Sequence, residues 1–247
     1  MQFDLSGKTA FVTGATSGLG VHFSRILASS GASVAIASRR VERLESLRKD
    51  IGARCSSIAL DVTDAAQIAP ALNQAEAALG PIDILVNNAG LSANGPVTDI
   101  AVAGYDAVMA TNLRGPFLLA QELGRRLIAR KKGGRIINIA SITAFRVLPG
   151  SAVYCMSKAA LAMMTQCMAR EWARYDINVN AIAPGFIETE LNSEWFASPK
   201  GLAQINSFPK RRLQQARDLD GTLLLLASEA SRGITGSIFT VDEGQSL

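Results

Sequence analysis

Three features of the sequence predict an α/β fold, a Rossmann-type doubly wound parallel sheet of about seven strands with helices on both faces in a three-layer sandwich. Short β-branched or apolar runs alternate with amphipathic stretches along the whole chain. That alternation suits a parallel sheet, in which each strand returns through a helix. The runs Ile82-Asp83-Ile84-Leu85-Val86 and Arg135-Ile136-Ile137-Asn138-Ile139 are mostly apolar, as strands covered on both faces are. The stretch TGATSGLG, residues 13 to 20, stands where a strand should pass into a helix.

Strands are expected near 8–13, 33–38, 57–61, 82–87, 134–140, 177–183 and 237–241. The first, Lys8 to Thr13, reads as a short buried strand, and Leu19, Phe23, Ile26 and Leu27 then recur at helical spacing. Between them Gly14 suits a tight turn, Gly18 a close approach by phosphates, and Gly20 close packing of the helix on its strand. A helix N-terminus here favours an anion such as a dinucleotide pyrophosphate, so Thr16, Ser17 and Leu19 join the three glycines as candidate cofactor contacts. The spacing is GxxxGxG rather than GxGxxG, and by itself the loop also reads as a plain glycine-rich turn.

The second strand ends Ala37-Ser38-Arg39-Arg40, with no acid to take a ribose 2′-hydroxyl. Arg39, with Ser38 beside it, favours the 2′-phosphate of NADP(H), with NAD(H) as the alternative and a solvated arginine opening the next helix as the bland reading. Glu42 falls beyond the strand end. Pro70 lies within the helical pattern from 64 to 79, which predicts a kink or a late start. Arg125, Arg126, Arg130, Lys131 and Lys132 precede Gly133-Gly134 and read as cations of a last helical turn before a glycine cap.

Ser141 ends the fifth strand, at the carboxyl edge where parallel sheets bind ligands. Tyr154 and Lys158 lie four apart in an apolar helical pattern and so share one face. An ammonium beside a phenol should lower its proton affinity, making Tyr154 a general acid or base, although the same spacing also occurs structurally. The stretch Gly185 to Arg212 holds Pro199, Gly201 and Pro209 without a strong period, and reads as a lid.

The 247 residues are read as a single domain, 1–247, with a substrate-loop insertion at about 185–212. With 48% hydrophobic and 19% charged residues the composition is that of a globular protein. No signal peptide or membrane-length apolar run is present, which makes the cytoplasm the default location. The three cysteines read as reduced packing residues, and with His22 the only histidine no metal site is expected. His22 shares a polar helix side with Arg25 and Ser29, which gives it a surface role. The net charge of +4 raises nucleic-acid binding, but the basic residues are not interleaved with aromatics, and no nucleic-acid partner is expected.

These motifs together resemble the short-chain dehydrogenase/reductase family, including its 3-oxoacyl-[acyl-carrier-protein] reductase-like members. TGATSGLG matches the family's glycine motif, Asn87-Asn88-Ala89-Gly90 its NNAG motif, Thr111-Asn112-Leu113 its helix asparagine, Ser141 with Tyr154 and Lys158 its active-site spacing, and Pro184-Gly185 its PG motif. The resemblance spans the chain and implies hydride transfer between nicotinamide and a carbonyl or secondary alcohol. By the same resemblance Tyr154 donates the proton, Ser141 orients the oxygen, Lys158 holds the nicotinamide ribose, and Asn112 positions a water linking Lys158 to solvent. Asp61-Val62 match an adenine-contacting pair, Asn88, Ala89 and Gly90 the segment beside the adenosine ribose, and Ile187 with Thr189 the carboxamide-binding turn. Asn88 also reads as a strand-end cap and Asp61 as a turn opener.

The resemblance further implies a small-molecule carbonyl or alcohol substrate and a homo-oligomer, tetramer or dimer. Its C-terminal tail then lies in a subunit interface, where Glu243 stands in place of a glycine that relatives often have. A competing reading keeps the dinucleotide site in a non-catalytic redox sensor or regulator, and the intact set Asn112, Ser141, Tyr154 and Lys158 argues against it. Lys210-Arg211-Arg212 reads either as a solvated basic turn or as a contact for a phosphorylated acyl carrier.

Overall fold

The computed structural model describes residues 3–190 and 192–247. Seven strands form one parallel sheet: β1 (Thr9–Thr13), β2 (Ser33–Ser38), β3 (Cys55–Ala59), β4 (Ile84–Asn87), β5 (Gly134–Ile139), β6 (Ile177–Pro184) and β7 (Ile238–Val241), in the order β3-β2-β1-β4-β5-β6-β7. The edge strand β3 starts two residues before the expected 57, because Cys55 pairs with Val34 although Ser56 and Ser57 carry no apolar signal.

Alternate side chains of each strand feed opposite layers. Ala10, Val12, Val34 and Ile36 point to a layer formed by α1 (Gly18–Ser29), α2 (Val41–Ile51) and α9 (Asp220–Ala227), where Phe23, Leu27, Leu44 and Leu223 are buried. Phe11, Ala35, Leu85 and Ile136 face α3 (Ala65–Leu79), α5 (Gly115–Arg130) and α6 (Ala152–Trp172) through Leu72, Leu119, Leu123 and Leu161. His22 joins α1 to α9 through Asp220 at 2.5 Å, a surface tie.

Several local expectations change. α3 starts at Ala65, with Asp64 accepting from the Ala66 N–H, and continues through Pro70, which excludes the late start. The left-handed position after α5 is taken by Lys131, φ 52°, so the glycine pair is not the cap. Gly133 instead packs on Asp176, whose carbonyl oxygen would lie 2.4 Å from a Cβ there. Arg126 pairs with Glu76 and Glu122, and Arg130 donates to the Ile82 carbonyl, so these cations brace α5 against its neighbours as well as facing its dipole. Cys55 is buried, but Cys167 is exposed and is no packing residue.

The stretch 185–212 is not irregular. It holds α7 (Ser193–Ala197) and α8 (Pro199–Ser207), the latter started by Ser198 capping the Gly201 N–H and by proline in its first turn. The remaining helix, α4 (Val102–Met109), runs into a π-helical turn at Ala110–Arg114 before α5.

Candidate active site and cofactor cleft

The sheet order reverses between β1 and β4, and a crevice at the carboxyl ends of such strands is where α/β sheets take ligands. The glycine loop leaves β1 there and the NNAG segment leaves β4. Gly14 has φ +64°, and Gly20 packs so closely that a Cβ would lie 2.1 Å from the Gly14 carbonyl oxygen. Asn88 Nδ2 donates to the carbonyls of Thr13 and Gly14, while Thr13 Oγ1 accepts from the N–H groups of Asn88 and Ala89. The Asn88 side chain therefore fastens the two loops together. Ser17, before α1, makes no side-chain cap, and the first turn, which includes Leu19, has no acid. An uncapped, acid-free helix start fits an external pyrophosphate.

At the end of β2, Thr16 Oγ1 and Ser38 Oγ lie 2.9 Å apart, and Arg40 Nε donates to Thr16 Oγ1 at 3.0 Å. Arg39 is 71% exposed and 3.9 Å from Asp61, whose carboxylate also accepts from Thr63. Both arginines border the cleft, but Arg40 is the one tied to the glycine loop. Its only sequence signal was its place beside Arg39. Val62 is buried against α5, with its carbonyl oxygen 2.8 Å from where a Cβ on Gly115 would sit.

Ser141 follows β5, and its Oγ accepts from the Thr143 N–H at 3.1 Å, with the Tyr154 side chain beside it. Lys158, one turn along α6, is buried with Nζ donating to the Ile139 carbonyl at 2.7 Å and lying 5.5 Å from the Tyr154 ring centre. Burial pushes the Tyr154 phenol up to about 12, opposed by the neighbouring Ser141 hydroxyl, and burial brings Lys158 down to about 8. The expected lowering of the phenol by the ammonium is thus reversed in the protein alone. Desolvation dominates, and the lysine is directed at a carbonyl. Asn112, fully buried in the π-helical turn, donates to the Leu91 carbonyl and to Ser157 Oγ and accepts from the Leu91 N–H. Its amide is occupied by protein, so a water placed there needs a backbone partner. Gly90 adjoins both groups: a Cβ there would lie 3.5 Å from Asn112 Oδ1 and 3.8 Å from Lys158 Nζ.

Pro184 ends β6 opposite Val241, and the turn after it is held by two glutamines absent from the sequence reading. Gln214 Oε1 accepts from the Gly185 N–H at 3.1 Å and Gln245 Oε1 from the Phe186 N–H at 2.6 Å. Ile187 bridges to Gln214, and Asn192 clamps the next turn, accepting from the Thr189 N–H and donating to the Ile187 carbonyl. The tail closes over this region. Glu243, its side chain only 8% exposed, pairs with Lys210 at 3.0 Å and with Arg212. Among the described residues Arg211 alone of the three cations has no ion pair.

The family model described as enoyl-(acyl carrier protein) reductase matches residues 14–246. A gluconate 5-dehydrogenase of Gluconobacter oxydans (strain 621H) is 34% identical over 246 residues, covering 98% of this chain and 96% of its own. The chain belongs to the short-chain dehydrogenase/reductase family. The galactitol 2-dehydrogenase of Agrobacterium fabrum (strain C58 / ATCC 33970) is similar to this family member at 36% identity, with 97% of this chain and 98% of the relative covered. The crystal structure of a gluconate 5-dehydrogenase from Burkholderia cenocepacia J2315, in complex with NADP and tartrate, superposes with a TM-score of 0.94 at 36% identity, covering 99% of this chain and 97% of that one. This short-chain dehydrogenase/reductase is an oxidoreductase of alcohol and carbonyl carbons that uses a nicotinamide dinucleotide. No helix among its described residues is long and apolar enough to cross a membrane.

Proposed function

We propose that this enzyme interconverts a secondary hydroxyl and a ketone on a small polyhydroxylated substrate, a polyol or sugar acid, with NADP(H) favoured over NAD(H). The observation that carries the chemistry is the grouping of Ser141, at the end of β5, with Tyr154 and with buried Lys158, whose Nζ lies 5.5 Å from the Tyr154 ring centre. When bound, the nicotinamide exchanges hydride with the substrate carbon. In reduction Tyr154 gives its phenolic proton to the carbonyl oxygen, while Ser141 hydrogen-bonds that oxygen and fixes its position. Lys158 supplies positive charge beside the phenol and donors toward the ribose. Asn112 acts as a positioning residue that ties the segment at Leu91 to Ser157 of α6. The uncapped α1 start, with Gly14, Thr16, Ser17, Gly18, Leu19 and Gly20, would hold the pyrophosphate. Ser38, Arg39 and Arg40 would hold the 2′-phosphate, Asp61 and Val62 the adenine, Asn88 to Gly90 the adenosine ribose, and Pro184, Gly185, Ile187 and Thr189 the carboxamide.

The names of the relatives support the substrate class, and Lys210 and Arg212 have a protein partner in Glu243, which fits the bland reading of that basic run. Initial rates with gluconate, galactitol and an acetoacetyl thioester, each with both dinucleotides, test the reading. The polyhydroxylated compounds and NADP(H) should give the higher kcat/KM. Preference for the thioester would overturn the substrate class, and preference for NAD(H) the reading of the β2 end.

The pH profile provides a second test. Tyr154, at about 12, stays protonated through the neutral range, so Lys158, at about 8, is the site group that titrates first. Its ammonium is present below that value and lost above it. Plots of kcat/KM for carbonyl reduction, which report the free enzyme, should be level below about 8 and then fall about tenfold per pH unit. A profile that stays level to about 10 would show that Lys158 titrates near the ordinary lysine pKa and would overturn the lowering by burial.

We infer a cytoplasmic homo-oligomer assembled through α4, α5 and α6. Val102, Tyr105, Phe117 and Met163 are exposed there, next to a cleft of about 610 Å³ lined by Met109, Leu113, Phe117 and Met164. This cleft lies apart from Ser141 and Tyr154. Sedimentation of Phe117→Glu should shift the enzyme toward monomer, and an unchanged mass would place the interface elsewhere.

A further inference from the structure

Glu190 follows the carboxamide turn, and its carboxylate reaches across the cleft to the start of α2. Arg43 donates to its two oxygens at 2.8 and 3.1 Å, and Arg40 at 3.3 Å. Arg40 is the side chain whose Nε also reaches Thr16, itself bonded to Ser38 at the end of β2. The same segment lies against the glycine loop, since a Cβ on Gly18 would meet the Thr189 methyl at 3.3 Å. An acid borrowed from the substrate loop thus faces the cations at a strand end that has no acid of its own. The hydrogen bonds of Arg43 and then Arg40 hold the Glu190 carboxyl below its ordinary pKa, so it is ionised at neutral pH. All three side chains are substantially exposed, which makes the contact exchangeable rather than structural.

We propose that Glu190 is a specificity-determining latch, whose carboxylate competes with the 2′-phosphate of the dinucleotide for Arg40 and Arg43. A phosphate carries more charge than one carboxylate and accepts more charge-assisted hydrogen bonds, so it displaces Glu190 and frees the segment beyond Thr189 from the cleft rim. A dinucleotide lacking that phosphate leaves the pair in place. Cofactor identity is thereby read out as the position of the substrate loop. This inference rests on the NADP(H) reading of the β2 end.

The test uses adenine nucleotides without nicotinamide, so that binding is read apart from turnover. Calorimetric titration of Glu190→Gln with 2′,5′-ADP should show affinity raised about three- to tenfold over wild type, with 5′-ADP changed less than about twofold. In an Arg40→Gln/Arg43→Gln background the Glu190→Gln gain should vanish. Amide exchange over 187–198 in the wild type should rise on adding 2′,5′-ADP and not on adding 5′-ADP. If 2′,5′-ADP binds wild type more tightly than 5′-ADP but Glu190→Gln changes neither, or changes both alike, the latch is overturned and the NADP(H) reading stands. If the 2′-phosphate adds nothing in either protein, both are overturned.

Discussion

Tyr154→Phe is expected to lower turnover by on the order of a hundredfold or more while leaving dinucleotide affinity in place. The substitution removes only the phenolic oxygen. The ring keeps its place on α6, and Lys158 keeps its bond to the Ile139 carbonyl. On the proposed reading the proton donor is lost, and among the described residues no other acid is placed to replace it, since the Lys158 ammonium is engaged by the Ile139 carbonyl and Asn112 is bonded to protein on its amide. The loss should appear in kcat with little change in the Kd for NADPH, which titration of cofactor fluorescence measures. Near-normal kcat would show that the proton travels by another group.

Gly20→Ala should abolish or severely weaken dinucleotide binding and destabilise the fold. The new Cβ would lie 2.1 Å from the Gly14 carbonyl oxygen, a backbone atom, and 2.7 Å from Asn88 Nδ2, which fastens the glycine loop to β4. Neither neighbour can yield without moving the loop proposed to hold the pyrophosphate. Overpacking of this kind costs about 1–3 kcal/mol. For a chain of this length that is a fall in Tm on the order of 5 °C. The matched control is Gly221→Ala on α9, where a Cβ meets nothing within 4 Å and the melting temperature should hold or rise slightly. Equal melting temperatures and equal NADPH affinity for Gly20→Ala and wild type would contradict the packing account.

The layered sheet was legible because its central strands are covered on both faces and so are written as apolar runs. Ile84-Leu85-Val86 and Ile136-Ile137 needed no further context. The edge strand was read less well, since Ser56 and Ser57 carry no such signal and only pairing with β2 defines it. Within the site, Ser141, Tyr154 and Lys158 could be named because they sit at a strand end and one helix turn apart. The direction of the Tyr154 shift could not, because spacing shows that an ammonium is near but not that burial outweighs it.

Long-range partnerships were hidden for a similar reason. Glu243 meets Lys210 and Arg212 from more than thirty residues away, a partner that a basic run read as a solvated turn or a carrier contact could not reveal. Arg40 and Arg39 are indistinguishable as letters, and the start of α2 at Val41 decides which one meets Thr16. The helices α7 and α8 did leave a trace in Ser198-Pro199, a cap followed by proline, but each is too short to show a period.

On the proposed reading, Tyr154 and its neighbours make this cleft a catalyst rather than a dinucleotide sensor. The most direct measurement mixes the wild-type enzyme with NADP and a panel of polyols and sugar acids, following reduced nicotinamide by absorbance and the keto product by mass spectrometry. The two products should appear in equal amounts, continue beyond one equivalent of enzyme, and be lost in Tyr154→Phe. Tight binding of NADP with no reduction of it by any member of the panel, and no oxidation of NADPH by the matching ketones, would contradict it.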